Sequence, residues 1–271
     1  MRYPAVAGQF YAGTESALRN QIEECFVNSL GPGHVPELNT AGERTIKGLV
    51  SPHAGYMFSG PVAAHGFAAL AQDGLPETFI VIGPNHQGMG SGVAVTTHDF
   101  ETPLGVIGTD KELAKALLKD LIDDDLTAHK FEHSIEVQVP FIQYFSKSAK
   151  FVPICMLMQD HATAAKVGKV VAEAIEGRDV VVIASTDFSH YVSPEKAEHD
   201  DMLAIDQILK LNAKGLEDTV RTNRISMCGF GPVMAMIEGV QGSKAELLKY
   251  ATSGDVRPMA EVVGYGSALV K

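Results

Sequence analysis

The sequence has no apolar run approaching the roughly 18 residues that a membrane-spanning helix needs, so no membrane role is expected. Its opening stretch, Met1 to Gly8, is too short in apolar residues for a secretory signal, and the expected compartment is the cytoplasm. Cysteine is scarce. Cys25, Cys155 and Cys228 are an odd, sparse set that builds no disulfide framework and fits a reducing environment. Positive charge is short as well: 22 Lys and Arg stand against 33 Asp and Glu, a net charge of −11, with the basic residues scattered. A phosphate backbone would be repelled, which argues against nucleic acid as a partner. Internal repeats, low-complexity segments and compact ligand motifs such as HExxH are missing too.

What is present is an ordinary globular composition, 45% hydrophobic and 20% charged over 271 residues. That is enough chain for a sizeable core, and the expectation is one domain spanning 1–271. Three segments share one build. Thr78-Phe79-Ile80-Val81-Ile82 runs into Gly83-Pro84-Asn85-His86, Gly48-Leu49-Val50-Ser51 into Pro52-His53, and Val180 to Ser185 into Thr186-Asp187-Phe188-Ser189-His190. Short β-branched runs ending in turn residues are buried parallel strands, and loops at strand carboxyl ends line the ligand crevice of an open α/β sheet. Three such strands delivering histidines therefore predict one shared pocket.

Between them, the pattern predicts a strand from Thr45 to Ser51 and a helix capped by Ser59 or Gly60 with Pro61 in its first turn. That helix N-terminus would face the His53 loop and favour an anionic ligand. Met1 to Gly13 suits an extended segment against the core, and Thr14 should cap a helix that buries Cys25. Asp110 caps a further helix carrying Leu113, Leu117, Leu118 and Leu121, which the solvated Asp123-Asp124-Asp125 would end. Glu132 to Pro140 should open a helix bearing Phe141, Tyr144 and Phe145. Helices are expected at Ala162 to Ile175, Ser193 to Leu211 and Lys214 to Arg221, and strands at Lys150 to Met158, Ala245 to Ser253 and Ala260 to Leu269. Ser226 to Pro232 reads as a loop leading into an apolar helix.

Neutral imidazole and thiolate are good ligands for first-row transition metals, and His53, His86 and Cys228 each sit in a Gly/Pro-rich loop beside an element end. Asp187 and His190 are close enough in sequence to face one cavity, where a carboxylate can tune an imidazole base. Glu132, His133 and Glu136 form another polar cluster, for which helix capping and a site role compete. His65, His98, His129, His161 and His199 read as structural or solvated.

Six ordered motifs carry a resemblance: Pro4 to Tyr11, Ser51 to Tyr56, Gly83 to His86, Glu132 to Gln138, Ser185 to Tyr191 and Cys228 to Pro232. Together they resemble the Memo-like family, whose prokaryotic members are similar to the Memo component of the AmmeMemoRadiSam group and occur with a radical-SAM protein. The resemblance implies a single α/β/α-layered domain with a mainly parallel central sheet, similar to the class III extradiol dioxygenases. It implies His53, His86 and Cys228 as metal ligands, for Fe(II) first and copper second, with Asp187 and His190 as remaining pocket residues. Asp187 would then orient His190 as proton donor or acceptor. His133 is similar to a histidine near the dioxygenase pocket. Cys228 stands where the dioxygenases have a carboxylate, and a softer thiolate favours redox chemistry over ring cleavage. The expected ligand is a small molecule. A non-catalytic module binding a peptide or anionic group, and an extradiol-type dioxygenase, are the alternatives.

Overall fold

In the computed structural model, which describes residues 1–271, the three histidine-delivering strands lie side by side. The first seven elements are α1 (Glu15–Val27), β1 (Gly48–Ser51), α2 (Tyr56–Asp73), β2 (Thr78–Pro84), β3 (Val93–Val95), β4 (Phe100–Thr102) and β5 (Gly105–Thr109). They are followed by α3 (Lys111–Ala116), β6 (Asp123–Asp124), α4 (Val139–Phe145), β7 (Lys150–Met156), α5 (His161–Ile175), β8 (Val180–Ser185) and β9 (His190–Val192). The chain closes with α6 (Pro194–Leu209), α7 (Ala213–Asn223), α8 (Phe230–Val240), β10 (Ala245–Thr252), α9 (Ser253–Val256) and β11 (Val262–Val270).

The main sheet runs β10-β11-β1-β8-β2-β7-β3-β6. Its centre, β1-β8-β2-β7, is parallel, while β10, β11 and β3 join antiparallel at the margins. Alternate side chains of the central strands face opposite layers. Val50, Ile80, Ile82, Val182 and Ala184 pack with α5, α6, α7 and α8, whereas Leu49, Phe79, Val81, Val181 and Ile183 pack with α1, α2 and α4. The sheet thus has helices on both faces, which is why its central strands are apolar throughout. No helix is long and apolar enough to cross a membrane. Cys25 and Cys155 are buried in the layer containing α1, as core residues.

Several boundaries differ from the sequence reading. The helix expected from Ser59 or Gly60 begins at Tyr56, and Pro61 lies inside it. An early start is possible because the Tyr56 N–H donates to Phe10 O of the extended N-terminal segment, 2.7 Å away, instead of needing a cap within its own turn. The helix after Asp110 stops at Ala116, and Asp120 takes a left-handed φ of 54°. Asp123 and Asp124 are not a helix end: they pair with β3, and Asp125 caps a 3-10 turn at Leu126–His129. Residues 132–138 form no α-helix, only a 3-10 turn at Glu136–Gln138 that leads into α4.

Candidate metal centre

Each ligand candidate reaches the pocket from a different segment. His53 and His86 follow the carboxyl ends of β1 and β2, and Cys228 lies in the connection from α7 to α8. Cys228 is fixed by its backbone. Its N–H donates to Asp187 O at 3.3 Å, and its carbonyl accepts from Gln159 Nε2 at 2.9 Å. The next residue, Gly229, lies so close to β8 that a Cβ there would stand 2.5 Å from Ser185 O, so the approach requires glycine. The result is that one ligand atom from each of His53, His86 and Cys228 lies within 4.8 Å of the others.

Hydrogen bonds behind the two imidazoles settle which nitrogen faces the pocket. Ser185 Oγ donates to Ser134 O at 2.7 Å, which commits its only proton. It therefore accepts from Gln138 Nε2 at 2.8 Å and from His53 Nδ1–H at 2.9 Å. His53 Nε2 is left with its lone pair, 3.3 Å from Cys228 Sγ. On the other side, His86 Nδ1 lies 2.9 Å from Glu132 Oε1. Burial pushes the Glu132 carboxyl up, but His86, His133 and backbone N–H groups facing it hold it down to about 2. An ionised carboxylate accepts the His86 Nδ1 proton and leaves Nε2 as the free donor atom. A carboxylate behind a ligating imidazole is the arrangement that fixes ring orientation and raises ligand basicity in metal sites.

Burial keeps two of the ring systems, His53 and His133, neutral. Burial pushes His53 well below its ordinary value, assisted by His133, His86 and His190. Burial likewise brings His133 down to about 4. The His133 ring stacks on His86 with centroids 4.6 Å apart and meets His53 edge-on at 5.5 Å. The thiol of Cys228 is pushed up by burial and then by the Asp187 carboxylate, so the lone protein keeps it as S–H beside the His53 lone pair. A cation in the pocket reverses that balance and favours thiolate.

Asp187 and His190 both lie at the pocket, but not as a bonded pair. The Asp187 carboxylate accepts the His53 backbone N–H at 2.8 Å, and burial pushes its pKa up. His190 Nδ1 instead faces Phe188 O at 2.7 Å and Ser226 O at 2.9 Å, which places the ring proton on Nδ1 and leaves Nε2 as the acceptor. The expectation that Asp187 orients His190 is therefore corrected: two backbone carbonyls do so. Of the polar cluster left open by the sequence, Glu132 and His133 belong to the site. Glu136 does not, because it binds Arg2, Tyr11 and the Ala5 and Val6 N–H groups of the N-terminal segment. Sequence reasoning missed Ser185 and Gln138 as supports. Their signal was modest, a serine ending a hydrophobic strand and a buried glutamine before an apolar helix.

A family model described as Memo-like protein matches residues 2–269. A MEMO1 family protein of Methanopyrus kandleri is 49% identical over 280 residues, covering 100% of this chain and 99% of that protein. Another, from Methanothermobacter thermautotrophicus, is 49% identical over 274 residues, with 98% of each chain covered. Among solved structures, an uncharacterized protein from Escherichia coli K12 superposes with a TM-score of 0.56 at 14% identity, covering 83% of this chain and 100% of the other. At that identity the likeness speaks for the α/β fold alone.

Proposed function

The chain belongs to the Memo-like family, and from that premise we propose a metal-binding redox protein whose ligands are His53, His86 and Cys228. Fe(II) is the expected metal and copper the second choice, with a small-molecule substrate entering at the strand carboxyl ends. One observation carries the reading: two imidazoles whose Nδ1 atoms are engaged behind them, by Ser185 and Glu132, each place a ligand atom within 4.8 Å of a cysteine sulfur, and His53 Nε2 stands 3.3 Å from it. A ligating imidazole is held in this way, its other ring nitrogen engaged by a hydrogen bond that fixes tautomer and orientation. The donor set fits a borderline-to-soft transition ion and not Mg²⁺ or Ca²⁺, which prefer oxygen.

Bound there, iron or copper would supply one-electron redox chemistry that no side chain of this pocket offers. The residues' own tasks follow from their bonds. Glu132 and Ser185 hold the two imidazoles in their tautomers. His190 offers Nε2 as a proton acceptor, and His133 forms a neutral aromatic wall. The anion-binding alternative is weakened by Asp187, whose carboxylate already takes the N–H of His53 and faces that of Ala54. An incoming phosphate or peptide carboxylate would compete with a built-in negative charge.

The test is metal content of protein purified without oxygen and without affinity-tag metal, for the native chain and Cys228→Ser. Near-stoichiometric iron or copper that disappears in the variant is expected. Absence of bound metal together with no uptake of supplied Fe(II) or Cu(I) would remove the reading. Ring cleavage is tested separately, by turnover of a panel of catechols under oxygen.

A further inference from the structure

The N-terminal segment touches both the His53 side of the site and the 129–136 connection that supports His86. Arg2 is 2% exposed, and every face of its guanidinium is used. Nε donates to His129 O at 3.0 Å, Nη2 to Glu132 O at 2.6 Å, and Nη1 pairs with the buried Glu136 carboxylate. Glu136 in turn accepts from the N–H groups of Ala5 at 2.8 Å and Val6 at 3.1 Å and from the Tyr11 hydroxyl. Arg2 and Glu136 thus rivet residues 2–11 onto the 129–136 connection, the stretch that supplies Glu132 to His86 and places His133 against it.

Phe10 reaches the other loop. Its carbonyl accepts the Tyr56 N–H at 2.7 Å, three residues beyond His53, and its ring lies 4.7 Å from the His133 ring. None of these contacts touches a ligand atom, and together they join the two loops through one strap. A buried ion pair contributes little net stability compared with apolar packing, so the Arg2–Glu136 pair matters for what it holds in place. Glu136 accepts from four separate groups of the strap, and a slipped register would leave that buried carboxylate unpaired.

We infer that residues 2–11 are a positioning strap for the metal centre, with Arg2 as its latch and Phe10 as its contact to the His53 and His133 side. This rests on the metal-binding reading above and adds to it a linkage. Docking of the strap fixes the separation of His53 and His86, so it strengthens metal binding, and metal binding by the same factor strengthens docking. Arg2 is not a catalytic residue: it acts through Glu132 and the loop around it.

The experiment compares native protein with Arg2→Met, Phe10→Ala and the control Tyr3→Ala, whose side chain is 69% exposed on the same segment. Fe(II) affinity is measured anaerobically by chelator competition, and hydrogen exchange is followed with and without Fe(II). Expected are an affinity about tenfold weaker in Arg2→Met, the scale seen when groups supporting a ligand are removed, a smaller loss in Phe10→Ala, and none in Tyr3→Ala. Fe(II) should slow exchange at Ala5 and Val6 in the native chain. In metal-free Arg2→Met the His86 amide, which is bonded to Glu132 at 2.5 Å, should exchange faster by a larger factor than the amides of β2. If Arg2→Met does not fold, Phe10→Ala, which removes a half-buried ring, carries the same comparison. Native affinity in the folded variants, or a rise in exchange that is uniform across the core, overturns the inference. If the native chain takes up no Fe(II), the metal reading fails on its own, and exchange at His86 alone then decides for or against the strap.

Discussion

Glu132 is the residue on which the pocket's chemistry turns, because a single carboxylate both accepts the His86 ring proton and gathers the N–H groups of His86, His133 and Ser134. Glu132→Gln keeps the shape but removes the charge that fixes the His86 tautomer. Metal affinity should fall about 10- to 100-fold, read by the same chelator competition, while the far-ultraviolet circular dichroism stays native. His129 gives a different prediction, about stability. It is 1% exposed, with Nε2 3.2 Å from Ala94 O and Nδ1 without a partner, and burial brings its pKa from 6.5 down to about 4. The unfolded chain therefore takes up this proton first as pH falls. The contribution is fully present above 6.5 and is lost as pH falls through the window from 6.5 to about 4. Between pH 7 and pH 5 it should amount to about 2 kcal/mol. Urea midpoints of metal-free protein at the two pH values should show a steeper drop for the native chain than for His129→Gln, and equal drops would refute the assignment.

At the scale of elements, the parallel strands position the chemistry and the connections between them support it. β2 is buried at all seven positions and ends against the 132–135 connection so closely that a Cβ on Gly83 would stand 2.5 Å from Ser134 Oγ. Gly229 has the same role beneath Cys228. Gly229→Ala should push the Cys228 loop off β8, costing about 1–3 kcal/mol and weakening metal uptake. A thermal melt paired with metal analysis checks this, and a variant that melts normally and binds normally would sink it. These elements also show what the sequence made legible. The β-branched runs before His53, His86 and Asp187 are buried on both faces, so their composition marks them as central parallel strands, with His53 and His86 brought together beyond their carboxyl ends. The 132–138 stretch was harder to read. Glu132 and Glu136 have the spacing of a helix, yet each is turned to a different long-range partner, His86 for one and Arg2 for the other. Asp123 and Asp124 misled for a related reason, because their pairing with β3 uses backbone groups and leaves no hydrophobic signature. The start of α2 was hidden for the same cause, a backbone bond to Phe10 O from far along the chain.

For the whole molecule, the ligand candidates come from positions 53, 86 and 228, so a bound ion would add a direct cross-link between segments far apart in the chain. A protein of net charge −11 also carries self-repulsion that a cation relieves. The pocket exists in the folded state alone, since the unfolded chain has no compact ligand motif to compete for the ion. Metal should therefore stabilise by mass action, by about 2.7 kcal/mol when free metal stands at about 100 times its dissociation constant. For a chain of this size that corresponds to a melting temperature higher by about 5 °C, rising with each further increase in free Fe(II). Cys228→Ser should melt close to the metal-free native protein and respond weakly to added metal. Anaerobic calorimetric scans across a series of Fe(II) concentrations check this. A native melting temperature that ignores the metal, or a Cys228→Ser variant that gains as much as the native chain, would mean that the three side chains converge for packing and not for coordination.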